Sequence, residues 1–136
     1  MHVTWPQDMK VKAASLLAAT SVLLLFACSN EEATRAKIAE AAKTGRQASE
    51  AVGIYARKHG RFPNQIEEAY IRPAALQDIK LLSVDRKTGR VQVALAFKPV
   101  EGKSLVFVPS RNKDRSYTWR CTSPDIDPKL LPEACR

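Results

Sequence analysis

Three cysteines carry the most distinctive side-chain chemistry in this sequence, and they are unevenly spread. Cys28 closes an apolar run near the start, whereas Cys121 and Cys135 lie close to the end. A thiol can bind a metal ion, form a disulfide bond or accept a covalent group. Metal binding explains the late pair poorly, because His2 and His59 are both far from it in sequence. Whether these cysteines form a disulfide bond or accept a covalent group depends on the compartment that the protein reaches.

The N-terminal segment predicts export across a membrane. Lys10 and Lys12 precede an unbroken run of apolar or small residues at 13–28, which is typical of a secretory signal peptide. The run has 16 residues, fewer than the ~20 that a membrane-spanning helix needs. A permanent transmembrane anchor is therefore the weaker interpretation. We expect a signal peptide at 1–27, with Met9 as an alternative start.

The residues Leu-Phe-Ala-Cys at 25–28 resemble a bacterial lipobox. The resemblance implies cleavage before Cys28 and acylation of its thiol and new amino group, so that residues 28–32 form a lipid-anchored linker. Ser29, with no aspartate there, implies an outer-membrane destination by the usual sorting rule for such proteins. The alternative is cleavage by the general signal peptidase, with Cys28 incidental.

Export also bears on the two late cysteines. Thiol pairs persist as disulfides in oxidising compartments, so the sequence predicts a bond between Cys121 and Cys135. The bond would close a loop of about 15 residues and stabilise the fold by about 3 kcal/mol.

The segment from Glu31 to His59 predicts one long helix, because it lacks proline and is rich in good helix formers. Apolar or small residues recur every three or four positions and define one buried face. This helix stripe comprises Ile38, Ala41, Ala42, Gly45, Ala48, Val52 and Tyr55. Glu31 and Glu32 near the predicted start complement the helix dipole. Gly60 suits a left-handed C-terminal cap, and Pro63 stops any continuation.

After a connecting region at 61–77 with one short helical turn at 65–70, the pattern changes to the alternation of strands. Short turns separate the runs, which indicates an antiparallel sheet. The predicted strands are Ile79–Val84, Val91–Phe97, Leu105–Val108 and Tyr117–Cys121. We expect the aromatic side of the last strand to face the helix. The predicted fold class is α+β: a long N-terminal helix packed on a four-stranded antiparallel sheet.

A C-terminal motif adds a family resemblance to this fold. Its residues are Trp119, Cys121, Leu131, Pro132, Cys135 and Arg136. With the helix and sheet, the motif resembles the globular head of a type IV pilin, in which such residues bound a disulfide loop called the D-region. The likeness covers 33–136 and implies a pilin-like domain that binds other pilus components or an extracellular target.

The N-terminal part departs from that family. Type IV pilins are cut after a glycine and retain a hydrophobic helix through which subunits pack into a filament. The first glycine here is Gly45, so we expect no prepilin-type cleavage near the apolar run. The combination predicts a pilin head on a lipoprotein leader; the alternative is a filament subunit with an atypical leader.

Positive charge is concentrated in the predicted sheet. Residues 80–120 hold ten basic and three acidic side chains, whereas residues 28–79 and 121–136 are nearly balanced. The ten basic residues are Lys80, Arg86, Lys87, Arg90, Lys98, Lys103, Arg111, Lys113, Arg115 and Arg120. A basic outer face would attract DNA or another polyanion through phosphate contacts. The alternatives are ordinary solvated charges or a surface resting on anionic lipid headgroups.

Catalysis is not predicted. The sequence contains no nucleophile–base–acid spacing, no phosphate-cradling glycine loop and no cluster of metal ligands. We therefore expect no catalytic residue, no metal, no cofactor and no small-molecule substrate. The leading hypothesis is a non-enzymatic interaction module of the cell envelope.

Overall fold

A computed structural model describes the backbone of residues 7–70 and 76–136, with side chains from Asn30 onward in those ranges. The chain divides into two compact units, Met1–Ala33 and Thr34–Arg136. Residues 1–6 and the side chains of residues 7–29, that of Cys28 among them, lie outside the described part, so the signal peptide and the acylation of Cys28 stay predictions. Among the residues that are described, no helix combines the length and apolar content that crossing a membrane requires.

Helix α1 extends from Gln7 to His59. Its predicted end is confirmed: Gly60 has a left-handed φ of +70°, and its N–H donates to the Ala56 carbonyl at 2.8 Å. The predicted start at Glu31 is wrong, since the helix begins 24 residues earlier. Residues 7–30 contain no glycine or proline and many alanines and leucines, so nothing in them interrupts a helix. Glu31 therefore lies within α1 and does not meet an N-terminal dipole.

The second unit contains a four-stranded antiparallel sheet in the simple order β1-β2-β3-β4. The strands are β1 Ile79–Val84, β2 Val91–Leu95, β3 Ser104–Arg111 and β4 Tyr117–Thr122. The predicted strands are thus confirmed, although β2 is shorter and β3 longer than expected. Phe97 lies beyond β2 but is still buried. The pairing of β1 with β2 shifts between Ile79 and Leu81, which leaves Lys80 in an irregularity at the strand's start.

The core forms between α1 and the inner face of the sheet. Of the helix stripe, all members except the half-buried Tyr55 are buried. Helix and sheet approach closely at Gly45, where an added Cβ would lie 2.8 Å from Val93 Cγ2. Tyr117 and Trp119 lie next to Gly53, which confirms that the aromatic side of β4 faces the helix. The α+β helix-on-sheet fold is therefore the one that the sequence predicts.

The connecting region is fastened to the end of α1 by one carboxylate. A 3₁₀ turn at Ile66–Glu68 confirms the short helical turn expected there. Tyr55 Oη donates to Glu68 Oε2 at 2.8 Å, and the N–H groups of Asn64 and Gln65 donate to Oε1 at 3.0 and 3.2 Å. The Tyr55 hydroxyl and these N–H groups lower the pKa of Glu68, and the Glu68 contact raises the pKa of Tyr55.

Candidate interaction site at the disulfide-bounded loop

Cys121 and Cys135 form the predicted disulfide bond, with Cα atoms 4.5 Å apart. Their separation of 14 positions closes a loop that includes the whole C-terminal segment. Both cysteines are buried, at 5% and 1% exposure. The bond therefore joins β4 to the tail inside the core rather than at the surface.

The disulfide loop is also packed onto the sheet by its own side chains. Ile126 and Leu131 are buried in the core cluster. Ser123 Oγ donates to the Ser104 carbonyl at 2.7 Å, and the Ser104 N–H donates to Asp125 Oδ1 at 3.0 Å. These contacts fix the first half of the loop against the start of β3. The loop backbone is consequently ordered in advance of any encounter with a partner.

The other motif residues hold the second half of the loop. Arg136 Nε lies 3.2 Å from the carbonyl oxygens of both Pro128 and Leu131. Arg35 Nε of α1 donates to the Lys129 carbonyl at 2.8 Å. Pro132 precedes the 3₁₀ turn Glu133–Cys135. These motif residues position the backbone, which leaves the outward side chains of the loop available for contact.

A groove between α1 and β4 runs beside this loop. It consists of two adjoining cavities of about 360 and 270 Å³ that share Glu50, Tyr117 and Trp119. The first cavity reaches the loop at Ala134. The second cavity contains Ile54, which is 71% exposed. Among the described residues, the large apolar side chains that remain exposed are Ile54 and Leu81, and Ile54 is the more exposed of the two. We call these two cavities the α1–β4 groove.

The ten predicted basic residues do not gather on one sheet face. Residues at the β1–β2 and β3–β4 turns lie at the same end of the sheet, because successive strands run in opposite directions. This end holds Arg86, Lys87, Arg90, Arg111, Lys113 and Arg115. Lys80, Lys98 and Lys103 lie at the opposite end, and Arg120 projects from the outer face within β4. The sequence predicted one basic face of the sheet, whereas the structure places six of the ten basic residues at one end of it.

The end of α1 adds three further cations that the sequence interpretation missed. Phe62 lies against Gly89 of the β1–β2 turn and 5.5 Å, centroid to centroid, from Tyr117 of β4. The chain at and just after the end of α1 therefore lies beside the β1–β2 turn and the start of β4, and this part of the chain carries Arg57, Lys58 and Arg61. We call the nine residues the basic end. The clustering of basic residues at 57–61 was a visible signal, but only the fold shows which turns they join.

Two acidic side chains at the basic end are engaged within their own turns. Asp85 Oδ1 accepts from the N–H groups of Lys87 and Thr88 at 2.8 and 3.2 Å, and these bonds lower the pKa of Asp85. The hydroxyl and N–H of Ser116 lower the pKa of Asp114, to which Arg57 adds a smaller effect. The carboxylates of Asp85 and Asp114 therefore stabilise the turns in which they lie by accepting hydrogen bonds from them.

The fold, the buried disulfide and the ordered terminal loop together define the class of the molecule: the globular domain of a type IV pilin. In a comparison with known protein families, residues 34–136 match the family described as Pilin (bacterial filament). This match spans most of the chain, so the protein belongs to the pilin family. A comparison with curated protein sequences returned no match. Among the described residues, no group of three His, Cys, Asp or Glu side chains is placed to hold a metal ion.

Proposed function

We propose that this protein is a non-enzymatic interaction module of the bacterial cell envelope that binds other pilus components. The observation that carries the proposal is the disulfide loop, which is ordered by the core and lies directly beside the α1–β4 groove. A surface with a fixed backbone loses little conformational entropy on binding, so its contacts convert efficiently into affinity. Membership of a filament family supports a second pilin-fold subunit as the partner.

The groove has the composition of a protein contact. Ile54 and the half-exposed rings of Tyr117 and Trp119 supply an apolar centre, and aromatic residues are enriched at interface hot spots. Arg57 and Glu50 border this centre with opposite charges. An apolar centre with a charged rim excludes water while it selects the orientation of the partner.

Two exposed apolar residues provide a matched test of this surface. Ile54→Gln should weaken cross-linking of the protein to pilus subunits in cell envelopes, because Ile54 lies in the groove. Leu81→Gln is the control, since Leu81 is 48% exposed but lies on the outer face of β1. Equal cross-linking by both variants and the parent chain would remove the groove from the proposal.

We further propose that lipid on Cys28 holds the module at the membrane, with the outer membrane as its destination. The signal-like run at 13–28 and the lipobox-like residues 25–28 support this anchor. Cys28→Ala should then release the protein from the membrane fraction, while binding through the groove persists in the released protein. Retention of the Cys28→Ala variant in the membrane would contradict the anchor but leave the groove untouched.

A filament subunit is the second candidate. The family description supports it, and so does the unbroken course of α1 from Gln7 to His59. In this case the protein should be abundant in sheared pilus preparations, at a level comparable with the main subunit. Its absence from sheared pili and its presence in washed membranes would favour the anchored module.

A further inference from the structure

Glu50, Ile54 and Arg57 share one exposed face of α1 beside the α1–β4 groove. They occupy positions i, i+4 and i+7, a spacing that brings side chains to the same face of a helix. All three are exposed, and all three line the second cavity of the groove. Along the helix, this order places an anionic side chain on one side of an apolar residue and a cationic side chain on the other.

Neither charge of this face is paired within its own chain. Among the described residues, no ion pair within 4.0 Å includes Glu50 or Arg57. Arg57 lowers the pKa of the Asp114 carboxyl, but its effect is smaller than that of Ser116. Ile54 is 71% exposed although its side chain is apolar. The apolar side chain and both charges are therefore available to a partner.

The order of these residues is complementary to its own reversed copy. Arg57 lies seven residues after Glu50, which is a rise of about 10.5 Å along the helix. Consider a second α1 that runs antiparallel about a two-fold axis midway between these two residues. Glu50 of each copy then lies level with Arg57 of the other. Ile54 lies within about 1 Å of the axis along the helix, so the two Ile54 side chains meet beside it.

We propose that a second copy of this chain binds at the α1–β4 groove, in a two-fold pair with antiparallel α1 helices. This pairing rests on the proposed function and names the pilin-fold subunit that binds there. The two Ile54 side chains form its apolar centre, and two Glu50–Arg57 pairs flank that centre. The half-buried rings of Tyr117 and Trp119 extend the apolar surface beside each helix.

The two-fold pair is closed. An isologous interface uses the same surface on both copies, so no third copy can add to it. A filament instead requires two different surfaces on each subunit, which join head to tail. The pair is therefore distinct from filament growth. Because both events use the groove, pairing and the binding of another pilus subunit there exclude each other.

Charge reversal followed by rescue tests this pairing on the full chain in neutral detergent. Sedimentation equilibrium at matched detergent density measures the dimer dissociation constant. Glu50→Arg and Arg57→Glu should each weaken the dimer by about tenfold or more, because each turns two attractive pairs into two repulsive ones. The double variant restores both pairs with exchanged charges and should return to within about threefold of the parent. Ile54→Gln should also weaken the dimer by about tenfold, because it removes the apolar centre.

A matched control separates the pairing from an effect of net charge. Glu40→Arg makes the same change of charge as Glu50→Arg, and Glu40 is also exposed on α1 but lines a different cavity, beside Asp78. The Glu40→Arg variant should dimerise like the parent. Copies that merely share a micelle would not respond to Glu50→Arg at all. Far-ultraviolet circular dichroism checks that each variant retains the helix and sheet of the parent.

Three results would overturn the pairing. They are a parent chain that stays monomeric at the highest attainable concentration, a double variant as weak as its single variants, and an Ile54→Gln variant that dimerises like the parent. These failures can be told apart from failure of the proposed function. If the parent is monomeric but Ile54→Gln still loses cross-linking to other pilus subunits in cell envelopes, the groove remains a binding site and only self-pairing is removed.

Discussion

Gly45→Ala tests the contact between α1 and the sheet, because the packing there decides whether this substitution raises or lowers the stability of the fold. An added Cβ would lie 2.8 Å from Phe107 Cζ and 2.8 Å from Val93 Cγ2, and it would overlap Phe107 Cε2. Phe107 and Val93 are almost fully buried, at 1% and 0% exposure, so neither can move aside into solvent. Gly45→Ala therefore places a methyl group where the core has no room.

The magnitude follows from two opposing terms. Alanine favours the helix over glycine by about 1 kcal/mol. Overpacking a dense core costs about 1–3 kcal/mol, and contacts this short belong to the upper part of that range. Gly45→Ala should therefore lower the free energy of unfolding by ~1–2 kcal/mol. Gly53 is the matched control: its nearest contact is 3.4 Å from Trp119 Nε1, so Gly53→Ala should raise stability by up to about 1 kcal/mol.

Urea denaturation followed by circular dichroism measures both variants against the parent chain, with the slope of each transition checked for constancy. The prediction is a difference of about 1–3 kcal/mol between the two alanine variants, with Gly45→Ala less stable than the parent and Gly53→Ala at least as stable as it. If Gly45→Ala were as stable as Gly53→Ala, the packing of α1 against β2 and β3 described here would be refuted.

Two further predictions concern the disulfide and acid sensitivity. Replacement of both Cys121 and Cys135 by alanine should cost about 3 kcal/mol in urea denaturation, because the unfolded chain regains the freedom of a 15-residue loop; a loss below ~1 kcal/mol would contradict the loop-closure account. Three carboxyl groups have pKa values that are lowered in the folded chain: Glu68, Asp85 and Asp114. The stability that they contribute is therefore fully present above the usual carboxyl pKa and is lost as the pH falls through their pKa values in the folded chain. Asp85→Asn keeps an acceptor for its turn and should flatten this acid loss in a pH series of thermal melts; an unchanged pH profile would rule out the Asp85 contribution.

Local sequence patterns predicted most of the fold, because each of these patterns reflects one physical cause that acts on neighbouring residues. The alternation of Val91, Val93 and Leu95 produced a strand with one buried face, as the burial of all three side chains confirms. Gly60 ended α1 because a left-handed cap favours glycine. The disulfide between Cys121 and Cys135 could be predicted because the signal-like segment predicts export to an oxidising compartment, where a pair of thiols persists as a disulfide.

The arrangement of charge could not be predicted in this way. Alternation placed Lys80 and Lys98 on the outer face, but the pairing of β1 is irregular beside Lys80, and Lys98 lies in a turn beyond the end of β2. The helix start was also misplaced, since a signal-like run and a helix share the same composition. Whether Arg57 joins the cations of the turns depends on where α1 ends relative to the sheet, which is a property of tertiary structure.

Intact-mass analysis of the protein purified from its native membranes tests the account most directly. We expect a chain that begins at Cys28, carries the mass of acyl groups on that residue, and lacks two hydrogens because Cys121 and Cys135 are joined. A methylated, unacylated N-terminus, or free thiols at Cys121 and Cys135, would contradict the view of a lipid-anchored pilin domain closed by one disulfide bond.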